Sequence, residues 1–128
     1  MTRRVAIIAF AVGLILSGSS LQAHHSYSAY QTDLKISIEG TITKIDFVNP
    51  HVILQIKTKD GEYTAEFPGV TSLSRDNFRA YTLKIGDYVI AKGSPMKNRD
   101  IKRVSLMTEL RRPSDGWVWP EPAVKTAP

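Results

Sequence analysis

The sequence predicts an all-β fold with one short helix, a small five-stranded OB-like barrel, and three observations carry that expectation. Apolar residues recur mostly with a period of two. The period slips by one residue inside the first long strand, as a bend would require. Turn residues divide the chain into three strands, a short helical stretch and two more strands, the order of a five-stranded Greek-key barrel. A small open sandwich is the competing architecture and needs no such slip.

Ile36, Ile38, Gly40 and Ile42 alternate with Ser37, Glu39, Thr41 and Thr43, the mark of a half-buried first strand. Ile45 and Phe47 continue the apolar series one residue late, which places a β-bulge at Thr43-Lys44, and Gly40 permits a sharp bend. Asn49-Pro50 ends the strand, because proline lacks the ladder donor and forces its predecessor out of helical geometry. The second strand is expected over His51 to Lys59, with Val52, Leu54, Ile56 and Thr58 on one face. Asp60-Gly61 is a hairpin turn. Strand three runs from Glu62 to Phe67 with Tyr63, Ala65 and Phe67 inward, and Pro68-Gly69 terminates it.

Thr71 or Ser72 is the expected cap of a two-turn helix that carries Leu73, Phe78 and Tyr81 to the core. The Lys84-Ile85-Gly86-Asp87 turn opens strand four, Tyr88 to Lys92, with Tyr88 and Ile90 assigned to the core face. Strand five is expected from Ile101 to Leu106, and Asp115-Gly116 turns a last short hairpin through Trp117 and Trp119.

At the start of the chain Arg3 and Arg4 precede an uncharged run, Val5 to Leu16, and a polar stretch ending at Ala23. Those are the parts of an export signal, and the apolar run is shorter than the roughly 20 residues of a spanning helix. The reading is a signal peptide over 1–23, an OB-like domain over 24–119 and a disordered tail over 120–128, in a periplasmic protein without stable membrane insertion. With no cysteine, neither a thioether-linked lipid anchor nor a disulfide framework is available. The formal net charge of +5 falls to +3 once Arg3 and Arg4 are removed, a modest basicity. Lys97, Arg99, Lys102, Arg103 and the pair Arg111-Arg112 read as solvated faces, and Asp46, Glu62, Glu66 and Asp87 as solvated acids.

The three histidines are not scattered: His24 and His25 begin the expected mature chain, and His51 follows Asn49-Pro50. A terminal histidine offers its amine and a ring nitrogen to one metal, a nitrogen chelate suited to copper(II). His51 is the natural third ligand, with Asn49 orienting and Pro50 stiffening its loop, and His25 or Tyr27 completing the set. The competing view is that His24 and His25 merely begin a loose terminus and His51 packs beside a proline. A metal-free module for an envelope protein or an anionic polymer is the alternative class, with Trp117-Val118-Trp119 its sticky patch. Enzyme chemistry is the weaker expectation. A small copper-dependent oxidoreductase would need an open coordination position beside a substrate surface, and no acid is placed to orient a Ser26 or Ser28 nucleophile. Nucleic acid is not expected as a partner of an exported chain.

The run Ala23-His24-His25-Ser26, the segment Gly40-Thr41-Ile42-Thr43-Lys44, the Phe47-Val48-Asn49-Pro50-His51 loop and the Leu83-Lys84-Ile85-Gly86-Asp87 turn resemble a family of exported bacterial proteins, domain of unknown function 6152. The resemblance implies a periplasmic barrel-like domain with no established activity or ligand. Thr71 to Phe78 and the end beyond Gly116 depart from the family pattern.

Overall fold

A computed structural model describes residues 27–122. The order of elements is β1 (Ile36–Asp46), β2 (Val52–Thr58), β3 (Gly61–Phe67), α1 (Val70–Arg75), β4 (Tyr88–Pro95), β5 (Arg103–Arg112) and β6 (Trp117–Trp119). The strands lie in the order β3-β2-β1-β4-β5-β6, and a parallel β3–β5 pairing closes the first five into a barrel. The fold class is therefore the expected one, with β6 as an extra strand.

Closure depends on the bend in β1. Its first half, Ile36 to Thr41, pairs with β4, and its second half, Thr41 to Asp46, pairs with β2. The corner lies where the apolar phase slips: Ile42 faces Ile56 while Lys44 faces Gln55, leaving Thr43 as the extra residue. That bulge turns Ile42 fully inward and lets Ile45 and Phe47 pack against the same core. The Thr43 hydroxyl, pushed outward, donates to a Glu62 carboxylate oxygen at 3.1 Å. Ile42 is 1% exposed, so Ile42→Ala should lower unfolding stability by about 2–5 kcal/mol. Chemical denaturation checks this, and an unmoved midpoint would show that the register at the bulge is wrong.

Several elements depart from the sequence expectation for physical reasons. The helix has only six residues, and neither Thr71 nor Ser72 caps it: Gly69 is the N-cap, and the Val70 amide donates instead to Asn49 Oδ1 at 2.9 Å. Asn77 then takes a left-handed conformation, φ 58°, which turns Phe78 inward but leaves Tyr81 76% exposed, contrary to its expected core role. In β4 the core face is the opposite one. Val89 and Ala91 are buried and Tyr88 is 48% exposed, because a five-stranded barrel has a narrow interior that small and branched side chains fill. β4 also runs on to Pro95. β5 begins at Arg103 and continues to Arg112, well beyond Leu106, because it resumes pairing with β4 after an interruption at that residue. Arg112, read from sequence as a solvated cation, is held by Asp87 at 2.7 Å and Asp115 at 2.8 Å. It also donates to the Thr82 carbonyl at 2.8 Å, tying the α1–β4 connection to the end of β5. Burial pushes the Asp87 carboxyl up, but its hydrogen bonds from Arg112 and from the Lys84 amide outweigh this and hold it below the usual carboxylate range.

Trp117 and Trp119 do not form an exposed patch. They pair with Arg112 and Leu110 on β5, and Trp119 is 5% exposed. Their rings meet Phe78 edge-on at 5.4 and 6.3 Å, and the Trp119 ring meets Phe67 at 5.5 Å. The segment closes one end of the core because large rings lose more by staying wet than the last strand loses by being ordered.

Candidate functional site

The β3–β5 ladder is short. Thr64 pairs with Arg103 and Ala65 with Val104, and no further pair follows. Beyond it β5 bulges away: Lys92 faces Glu109 and Ser94 faces Ser105, so Leu106, Met107 and Thr108 stand against Gly93 alone. Leu106 adopts φ 49°, a left-handed conformation that a branched, bulky residue rarely accepts. Gly93 is required here, since a Cβ would lie 2.5 Å from the Met107 sulfur and 2.7 Å from the Ser105 carbonyl oxygen.

Where the strands part, a cavity of about 480 Å³ opens, lined by Tyr27, His51, Glu66, Phe67, Pro68, Gly69, Ser105, Leu106 and Met107. His51 stands immediately before β2, and its loop is clamped to the start of α1. Asn49 serves this clamp rather than a local side-chain turn: its Oδ1 accepts the Val70 amide, and the Val52 amide donates to the Pro68 carbonyl at 3.3 Å. Gly69 lies so close to the loop that a Cβ would meet both Asn49 Oδ1 and the Pro50 carbonyl oxygen at 2.7 Å. The Asn49–Pro50 peptide bond is cis.

A chain of polar groups lies behind His51. Its Nδ1 is 3.7 Å from Glu66 Oε1, an ion-pair distance rather than a hydrogen bond. The other carboxylate oxygen of Glu66 accepts from Arg103, whose Nε donates to the Tyr30 hydroxyl at 2.9 Å. Burial pushes the Tyr30 phenol up. Burial alone would lower the Arg103 guanidinium, but hydrogen bonds to Glu66 and Tyr30 raise it, so this cation stays charged. Glu66 is only 15% exposed, whereas His51 is 45% exposed and faces the opening. A carboxylate thus stands behind one ring nitrogen, beyond hydrogen-bond distance, on the side of the ring that lines the cavity.

Sequence reasoning missed Glu66, Arg103, Tyr30 and Met107. Glu66 and Arg103 looked like solvated charges; the one available signal was the position of Glu66 beside the inward Phe67, on a strand that had to pair on both edges. His24 and His25, like the expected signal segment over 1–23, lie outside the described residues, as do residues 123–128 of the expected tail. Tyr27, the first described residue, reaches the cavity that His51 lines. It is held there because Tyr30 bridges to Met96 and the Gln31 amide donates to the Pro95 carbonyl at 2.8 Å. Among the described residues no cluster of three or more His, Cys, Asp or Glu side chains is placed to hold a metal.

A small closed barrel with an added strand, opened along one seam, is thus the class of protein that the fold defines. The chain belongs to a family of unknown function (DUF6152), whose model matches residues 13–105. A comparison with curated proteins finds no match. Among solved structures, the ZRD-deleted mutant of TiaS in complex with agmatine is 22% identical with a TM-score of 0.47, covering 61% of this chain and 21% of that one. Apo TiaS, a tRNAIle2 agmatidine synthetase, is 21% identical with a TM-score of 0.47, covering 61% of this chain and 18% of that one. The chain thus corresponds to about a fifth of the length of those structures.

Proposed function

We propose that the protein is an exported periplasmic barrel that binds copper(II) through the amine and imidazole of His24, with His51 as partner and His25 in support. The observation that carries this reading is the shared cavity: Tyr27 and His51 line the same opening. Only two residues separate His24 from Tyr27, a span of about 10 Å when extended. A link that short supports a terminal chelate that shares its metal with the His51 ring. The Glu66 carboxylate 3.7 Å from Nδ1, itself paired with Arg103, supports the role by placing negative charge beside the imidazole.

The test begins with the intact mass of exported protein, expected to show a chain starting at His24; retention of Met1 in a membrane fraction would remove both the location and the chelate. Titration calorimetry with copper(II) then compares the His24-start chain with His51→Ala and with a methionine-extended terminus. Each change should weaken binding by about tenfold or more. Affinity should also fall on acidification, because imidazole and amine ligands must lose their protons to bind the metal. Equal binding by all three chains, or none by the parent, would reassign the protein to metal-free recognition of an envelope partner.

A further inference from the structure

The first half of β1 carries a strand edge that no neighbouring strand pairs. The Ile42 amide donates to the Asp87 carbonyl at 2.9 Å, and the β1–β4 register runs on unbroken to Ile36 opposite Gly93. Hydrogen-bonded positions alternate along an antiparallel ladder, so Gly40, Ile38 and Ile36 turn their amides and carbonyls toward β4, and Ser37 and Glu39 turn theirs away. β2 does not meet them. Its pairing with β1 begins at Thr41 opposite Lys57, and after Thr58 the chain turns back into β3 through Lys59 and Asp60. Neither a proline nor a bulge blunts the edge over residues 36–39, two of the devices that keep such edges from taking up another strand.

This open edge borders a groove of about 430 Å³, walled by Thr58, Lys59, Asp60, Tyr63 and Arg99. Tyr63 is half-buried, and the Lys102 ammonium lies over its ring, 5.6 Å from the centroid. The Glu39 carboxylate accepts from the Tyr88 hydroxyl, on the β4 side. Among the described residues no ion pair engages Lys59, Arg99 or Lys102. The charge left unspent around the groove is therefore positive, three cations against Asp60.

We infer that this groove docks an extended acidic peptide of another protein, which adds a strand to β1 at Ser37 and Glu39. Main-chain bonds to those two residues set the register of the peptide, and carboxylates on its alternate residues meet Lys59 and Arg99. A second copy of this chain fits less well. Pairing β1 with β1 about a two-fold axis would bring Lys59 and Arg99 of both copies together, and like charges in one interface repel. The groove shares no residue with the cavity that His51 lines, and the inference does not rest on copper binding.

The experiment follows amide exchange by NMR, residue by residue, in the whole protein without added metal. Its probes are the end-blocked peptide Thr-Glu-Val-Glu-Val-Thr and the counterpart with lysine in place of glutamate. In the free protein the Ser37 and Glu39 amides should exchange about tenfold or more faster than those of Ile38 and Gly40. The acidic peptide should slow both by about tenfold or more, and the lysine peptide should leave them unchanged. Ser37→Pro removes one edge donor and spares the β4 ladder, so with an unchanged circular dichroism spectrum it should weaken the acidic peptide by about tenfold or more. Lys59→Glu with Arg99→Glu should transfer the preference to the lysine peptide, which keeps the proposal testable if Ser37→Pro misfolds. Slow Ser37 and Glu39 amides in the free protein, no response to the acidic peptide, or an equal response to both peptides would overturn the assignment. Binding undiminished by Ser37→Pro would reduce the contact to surface charge, and protection that rises with protein concentration alone would give the edge to a second copy; either result also overturns it.

Discussion

Phe78→Ala should destabilise the protein by about 3–5 kcal/mol, the range for removing a buried aromatic ring. Phe78 is 1% exposed and stands among four other rings, Phe47 and Phe67 at 5.8 Å, Trp117 at 5.4 Å and Trp119 at 6.3 Å. It is the contact shared by β6, the end of β3 and the loop after β1, so the loss spreads beyond one cavity. Each edge-to-face pair contributes about 0.5–1.5 kcal/mol above the area it buries. Hydrogen exchange should accordingly show the amides of β6 exchanging faster than those of β1 in the variant. Urea denaturation measures the main effect. A loss below about 1 kcal/mol would mean that the ring cluster is not part of the cooperative core.

Gly40→Ala is expected to be nearly as damaging, at about 3 kcal/mol or more, although it adds a single methyl group. A Cβ at Gly40 would collide with the carbonyl oxygen of Lys57, a backbone atom on β2 that cannot rotate away. The collision falls at the corner where β1 changes partner from β4 to β2, so relief requires opening the barrel or losing the Thr41–Lys57 pairing. Thr41→Ala, one residue along on the solvent side, is the control and should stay within about 0.5 kcal/mol. Equal midpoints for the two variants in thermal denaturation would show that β1 does not bend there.

Much of the barrel was legible because closure leaves a local trace. The phase slip between Ile42 and Ile45, the glycine beside it and the Asp60-Gly61 and Asp115-Gly116 turns each reflect geometry that the backbone itself imposes. Gly61 and Gly116 do adopt positive φ, 118° and 77°. What misled was any choice that depends on the far side of the barrel. Tyr88 and Tyr81 look like core residues by type, yet at the start of β4 it is Val89 and Ala91 that turn inward, and the Asn77 reversal throws Tyr81 outward. The second bulge was invisible, since Ser105-Leu106-Met107 carries no glycine or proline; the glycine that permits it, Gly93, sits on the neighbouring strand.

The candidate site divides the same way. His51 and its Asn49-Pro50 loop stood out as a rare residue beside a rigid turn. The partners of His51 did not, because Glu66, Arg103 and Tyr30 meet only when β3, β5 and the segment before β1 converge. A pairing separated by 37 or 73 residues leaves no periodic mark in a single sequence. Its physical sign is an acid kept mostly from solvent, which appears only once the strands are assembled.

Pulsed electron paramagnetic resonance of the copper(II)-loaded exported protein tests most directly the proposal that the terminal chelate and His51 bind one copper(II) ion together. The remote nitrogen of a coordinated imidazole modulates the echo, and its combination peaks report how many imidazoles are bound. The expected result is more than one bound imidazole in the parent chain and the loss of one in His51→Ala. An unchanged modulation pattern in His51→Ala, with copper still bound, would contradict it.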